Sequence, residues 1–248
     1  MTQENGSIDV VLWGASQVGK TTALAAYLCH QPQSTENAND QHNEWLDRQA
    51  DETVATLKWL NRFCWNYLRK NLRPPSTIVP QFFKVKHADG RLIRFRDMKG
   101  GHAVDPTHAE SDLDYEAVRN ASALIYFVEW PGQRIVNDLI AVEQGKLYAP
   151  DCPSVLAVTK VECFLSPAQF GRFFHDPIRV AVEMKSPAGF IQILNGIPPD
   201  NIFPISVYGY SEEGFPAQYY DEFGRLVPQN IKPVGVDSLF ERVLKGLV

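Results

Sequence analysis

The chain has 248 residues, 44% of them hydrophobic and 21% charged, which is enough for a sizeable core and excludes a disordered, collagen-like or disulfide-stapled chain. With 24 basic against 29 acidic residues and a net charge of -5, broad capture of nucleic acid through its phosphates is excluded, so partners are recognised locally. Four cysteines lie scattered without metal-ligand spacing and the amino terminus carries no apolar leader, so the chain reads as a cytoplasmic protein with reduced thiols. Its longest apolar runs fall far short of the ~20 residues of a membrane span.

In chain order, the first predicted element is the strand Ile8 to Trp13, which runs into Gly14-Ala15-Ser16-Gln17-Val18-Gly19-Lys20-Thr21-Thr22 and then a segment of helix-forming composition. Residues 30–43 are polar without an apolar period and read as a surface loop. From Glu44 to Asn71 apolar residues recur at three- and four-residue spacing, which predicts one or two helices that end at Pro74-Pro75. Two strands follow, 81–87 and 92–96, with the turn signal Asp89-Gly90 between them.

A short helix is expected over 115–120, a buried strand over 123–128, a helix over 133–148 and a strand over 154–159. A helical region from Pro167 to about Leu194 precedes the strand 201–206. The tail from Asp237 places Leu239, Phe240, Val243, Leu244 and Leu247 on one helical face, with Asp237 or Ser238 as the cap. Apolar strands alternating with helices predict an α/β three-layer fold with a mostly parallel sheet, to which the 81–96 hairpin adds one antiparallel edge strand. No repeat or linker divides the chain, so residues 1–248 are expected to form one domain.

Three segments carry chemistry. Gly14-x4-Gly19-Lys20-Thr21 fits the P-loop (Walker A) pattern in its required place, after a strand and opening a helix. Its backbone N–H groups can cradle phosphate oxygens, Lys20 reaches the outer phosphates and Thr21 offers a hydroxyl to Mg2+. Asp97-Met98-Lys99-Gly100 follows a strand, so Asp97 can hold Mg2+ through water and Gly100 can donate its N–H to a γ-phosphate. Thr159-Lys160-Val161-Glu162 ends another strand. There the Glu162 carboxylate can accept from the N1–H and exocyclic amine of guanine, a pair of donors that adenine lacks, while the Lys160 stem packs over the base.

In this order the segments resemble the small Ras-like GTPases of the translation-factor-related class of P-loop proteins, over about residues 8–248. The resemblance implies a P-loop NTPase fold, GTP or GDP with Mg2+ as ligands, and a switch that acts on protein partners. Thr77 resembles the switch I threonine that meets Mg2+ and the γ-phosphate, 97–100 the switch II DxxG, 159–162 the [NT]KxD motif and Ser206-Val207 the SA[KL] motif beside the guanine oxygen. Pro204 to Gly209 and Pro233 to Val236 look similar to bacterial double-GTPase proteins, which implies an effector or a second GTPase as partner. Glu162 stands where the class usually has Asp, and Gly101 where a catalytic Gln is common; His102 is the candidate to orient water, with Gln17 beside the phosphates. Arg73 is a candidate finger in cis. Relative to the class the chain carries a helical insertion at about 30–73, before switch I, and a loop or hairpin at about 208–233. A scaffold that binds nucleotide without turnover is the alternative reading, and a small-molecule kinase fits the base motif least.

Overall fold

The computed structural model describes residues 7–30, 81–86, 92–100, 103–104, 111–130, 134–214, 218–220, 226–228 and 232–246. The expected helical insertion at about 30–73, apart from His30 and including Arg73, and the expected turn at Asp89-Gly90 lie outside them. So do Thr77, Gly101 and His102.

Strand β1 (Ser7–Trp13) is followed by helix α1 (Lys20–His30), β2 (Gln81–Lys86), β3 (Leu92–Asp97), α2 (Ser111–Arg119), β4 (Ala123–Glu129), α3 (Ile135–Tyr148) and β5 (Ser154–Thr159). Next come α4 (Pro167–His175), α5 (Pro177–Glu183), α6 (Ala188–Asn195), β6 (Ile202–Pro204), β7 (Gln218–Tyr220), β8 (Leu226–Pro228) and α7 (Val236–Lys245). The main sheet has the order β2-β3-β1-β4-β5-β6. From β3 to β6 all five strands are parallel, and β2 runs antiparallel to β3 at the edge. The pair β7 and β8 forms a separate antiparallel ladder within the 208–233 segment.

Parallel strands covered on both faces need apolar side chains at every position, and β1 and β4 are built that way. Val11 and Trp13 of β1, with Leu124, Tyr126 and Val128 of β4, point into one core against α2 through α6. Val10 and Leu12, with Ile125 and Phe127, point into the other against α1 and α7. In the second core the Tyr27 and Phe240 rings stack at 4.4 Å, which fixes the last helix against the first. The exception is Asp9, buried on β1, where burial alone would raise its pKa. Its carboxylate accepts from Arg94 at 2.5 Å and from Arg96 at 2.8 Å, which holds it below its ordinary value.

The helical region expected from Pro167 to about Leu194 is present as three helices, because Pro177 and Pro187 each remove a backbone donor and restart the chain. The first of them is fixed by a capping box between Ser166 and Gln169. The last helix is capped by neither Asp237 nor Ser238: it begins at Val236, after Gly235 with φ of 78°. The strand at 201–206 has three residues in the sheet, and the helix expected at 115–120 begins earlier, at Ser111.

Candidate functional site

Every parallel strand delivers its carboxyl end to one edge of the sheet, where open α/β sheets place their ligands. The β1 strand leaves at the centre of that edge, between β3 and β4, and the Gly14 to Gly19 turn crosses it before α1 begins. Gly14 lies so close to β4 that a Cβ there would collide with the Phe127 carbonyl oxygen. Gln17 has φ of 65° and Gly19 φ of 95°, so the turn takes two residues with positive φ. Ala23 N–H donates to the Gly19 carbonyl at 2.9 Å and starts the helix. Val18 anchors the loop in the core, Thr22 is half-buried, and Ser16 and Gln17 face solvent.

Lys20 is buried, and its Nζ donates to the carbonyls of Gly14 and Ala15 at 2.9 Å each. No carboxylate lies within salt-bridge distance of it among the described residues. Burial pushes the ammonium down to about 8, with the more distant charges of Asp97 and Asp138 opposing that shift. Beside it, the Thr21 hydroxyl donates to the fully buried carboxylate of Asp97, at the end of β3. Gly100 packs on the loop so tightly that a Cβ would overlap the Ser16 backbone. The phosphate motif and the 97–100 motif, predicted from separate segments, are therefore in direct contact.

At the other end of the edge the Thr159 hydroxyl donates to the Val128 carbonyl at 3.1 Å. A Cβ at Gly19 would sit 3.8 Å from the Thr159 side chain, so the two motifs adjoin. Lys160 takes φ of 57°, and its Nζ lies 2.9 Å from the Glu129 carboxylate. Glu162 is only 3% exposed. Burial raises its pKa to about 7, against the opposing pull of its own backbone N–H, the Ser206 hydroxyl and Lys160. Ser206 is fully buried and its Oγ accepts from Gly209 N–H at 2.8 Å, while Val207 is half-buried after it.

The predicted residues Gly14, Ser16, Gln17, Val18, Gly19, Lys20, Thr21, Thr22, Asp97, Gly100, Thr159, Lys160, Glu162, Ser206 and Val207 thus lie along one edge, in two groups: 14–22 with 97–100, expected from the sequence to be a phosphate half, and 159–162 with 206–207, expected to be a base half. Three further side chains reach it that the motifs did not reveal. Glu129, at the end of β4, pairs with Lys160, and its N–H donates to Asp138 of α3 at 3.0 Å. Asp138 is buried, and burial raises its pKa to about 7. Arg134 donates to the Ser16 carbonyl at 3.1 Å. A faint signal existed for Asp138, a lone acid in the apolar run Ile135 to Val142. The other two stand in no pattern. The segments 204–209 and 233–236 also turn out to be neighbours, through an antiparallel bridge between Ser206 and Val234 and a 3.1 Å bond from Lys232 N–H to the Tyr208 carbonyl. The 208–233 segment therefore leaves and returns beside the base half.

Among the described residues no helix is long and apolar enough to cross a membrane. No protein-family model matches the chain, and no curated protein matches it significantly.

Proposed function

We propose that the protein binds GTP with Mg2+, hydrolyses it slowly, and uses the difference between its nucleotide states to control a protein-binding surface. The observation that carries this reading is Lys20, an ammonium buried on the carbonyls of its own loop with the Thr21 and Asp97 oxygens beside it. A buried ammonium without a contacting carboxylate costs several kcal/mol, and a polyanion received by the same loop offsets that cost. The strand order, with the loop after the first strand and the 97–100 turn after its parallel neighbour, is compatible with a P-loop NTPase of the Ras-like class.

Thr21 and Asp97 fit a hard divalent cation. They are two oxygen donors in contact, a hard ligand pair. That suits Mg2+, which takes its other positions from phosphate and water oxygens. Thr21 would hold the ion directly and Asp97 through water; when bound, it supplies positive charge between the outer phosphates. The backbone of residues 14–19 orients the phosphates and Lys20 meets their outer oxygens. Gly100 donates its N–H to the γ-phosphate, and loss of that group frees the 97–100 turn. In the base half Glu162 reads the two guanine donors, Ser206 holds the carboxylate in place and Lys160 flanks the ring. The 208–233 segment, rooted beside Ser206, and the resemblance to double-GTPase proteins make an effector or a second GTPase the partner.

Titration of the purified protein with labelled GTP, GDP and ATP tests this. GTP should bind at least about 30-fold more tightly than ATP, since a carboxylate without its donors is left unpaired. Binding should weaken without Mg2+ and disappear on Lys20→Met. Equal affinity for ATP, or no affinity for any of the three, rejects the proposal.

A further inference from the structure

The solvent-facing rim of the glycine loop is reached by a side chain from a segment that carries none of the motifs. Arg134 immediately precedes α3, and its guanidinium donates to the Ser16 carbonyl at 3.1 Å. That is the one hydrogen bond the described residues give it, and Arg134 is exposed. Ser16 is also the residue whose backbone Gly100 abuts. The rim at Ser16 is thus flanked by Gly100 and by Arg134, and Lys20, Thr21 and Asp97 gather at the same part of the loop. Under the GTPase reading, this is where the outermost phosphate lies.

A guanidinium has five N–H donors in a planar fork, and a single bond to a carbonyl leaves most of them for phosphoryl oxygens. Charge-assisted bonds to phosphate are shorter and stronger than a bond to a neutral carbonyl, so an anion at the rim competes effectively for the group. We infer that Arg134 is a catalytic residue for GTP hydrolysis, the chain's own charge-stabilising arginine; this rests on the GTPase reading above. In the step it serves, a water oxygen bonds to the γ-phosphorus while the bond from phosphorus to the β–γ bridging oxygen breaks. GDP keeps that electron pair, and inorganic phosphate leaves with the water oxygen as the water proton is released. Negative charge grows on the bridging oxygen and redistributes over the transferring group, and the Arg134 fork neutralises it there.

The experiment uses the full chain as wild type, Arg134→Ala and Arg134→Lys. It measures affinity for GDP and for a non-hydrolysable GTP analogue, single-turnover hydrolysis, and retention of GDP with aluminium fluoride, which mimics the transferring phosphoryl group. Arg134→Ala should bind both nucleotides within about threefold of wild type, hydrolyse GTP at least about 100-fold more slowly, and lose the fluoride-dependent retention. Arg134→Lys should recover little, because a point charge does not span two oxygens. A rate equal to wild type overturns the assignment while GTP binding stands. So does a parallel loss of GDP affinity, the mark of a strut that only shapes the loop. A wild type that binds GTP but neither hydrolyses it nor retains GDP with fluoride overturns it as well. Failure of the wild type to bind GTP removes the GTPase reading and the assignment with it.

Discussion

The phosphate half and the base half of the site solve the same problem, holding charge at the edge of a sheet, in opposite ways. In the phosphate half the charged group is a cation whose partners are the carbonyls of its own loop, five and six residues away. In the base half it is a carboxyl, Glu162, raised to about 7 by burial, whose hydroxyl partner Ser206 arrives from the next strand region. One half is made by local backbone and the other by the register of β5 against β6. On the proposed reading, phosphate binding therefore rests on one short segment, whereas base selectivity depends on how distant segments pack.

The largest expected effect tests the base half. Glu162→Gln keeps one acceptor but replaces the other with an amide donor. It should therefore lose guanine, whose exocyclic group is also a donor, and gain xanthine, which has a carbonyl there. The ratio of GTP to XTP affinity should move by about 1,000-fold, since a site built for one hydrogen-bond pattern strongly rejects the inverse. The wild type should carry a pH signature too. A carboxyl raised to about 7 is protonated below that pH, which turns one of its two acceptors into a donor, so GTP affinity should fall about tenfold per unit below 7 and level off above it. The variant should be flat over the same range. A GTP to XTP ratio unchanged by the substitution would mean that Glu162 does not read the base.

A smaller effect tests how tightly the phosphate half is closed. A methyl at Gly100 would overlap the Ser16 backbone, so Gly100→Ala must displace either the 97–100 turn or the loop. Affinity for GTP should fall about 30-fold, and affinity for GDP, which makes no γ-phosphate contact, about threefold. Parallel titrations check this; equal losses would show that Gly100 shapes the loop without sensing the third phosphate.

The contrast between the halves also explains what the sequence could disclose. Residues 14–21 could be read directly because the loop, the lysine and the start of the helix are consecutive and their chemistry follows from spacing. The order of apolar strands was equally legible, since burial on both faces leaves a continuous run such as Leu124 to Val128. Ser206 was found only through a resemblance, because nothing local requires a serine to face Glu162. Arg134, Glu129 and Asp138 escaped notice because their partners are set by the approach of α3 and β4 to the loop. The helical region at 167–195 was legible, but not its division, because apolar spacing persists across Pro177 and Pro187 although the hydrogen-bond ladder does not.

Asp138 belongs to both halves, and it carries the smallest of these predictions. Its Oδ2 accepts from Glu129 N–H at 3.0 Å, while its Oδ1 is buried with no hydrogen-bond partner among the described residues. Burial raises its pKa to about 7, Glu129 adds to the rise, and the bond from Glu129 N–H, Lys160 and Lys20 oppose it. A carboxyl with a pKa near 3.8 in the unfolded chain and about 7 in the folded one binds its proton more tightly when folded. Stability attributable to Asp138 is therefore full below the lower value, falls as pH rises between the two, and stays low above 7. Asp138→Asn removes that slope at the fixed cost of an amide in the place of Oδ1. Between pH 5 and pH 8 the wild type should lose about 2–3 kcal/mol relative to the variant, read as converging or crossing urea midpoints. A nucleotide phosphate near Lys20 would weaken the cation's pull on Asp138, so saturating GDP should steepen the wild-type slope and leave the variant unchanged. If GDP leaves both slopes alike, the two halves are electrically independent and Asp138 serves only to hold the end of β4.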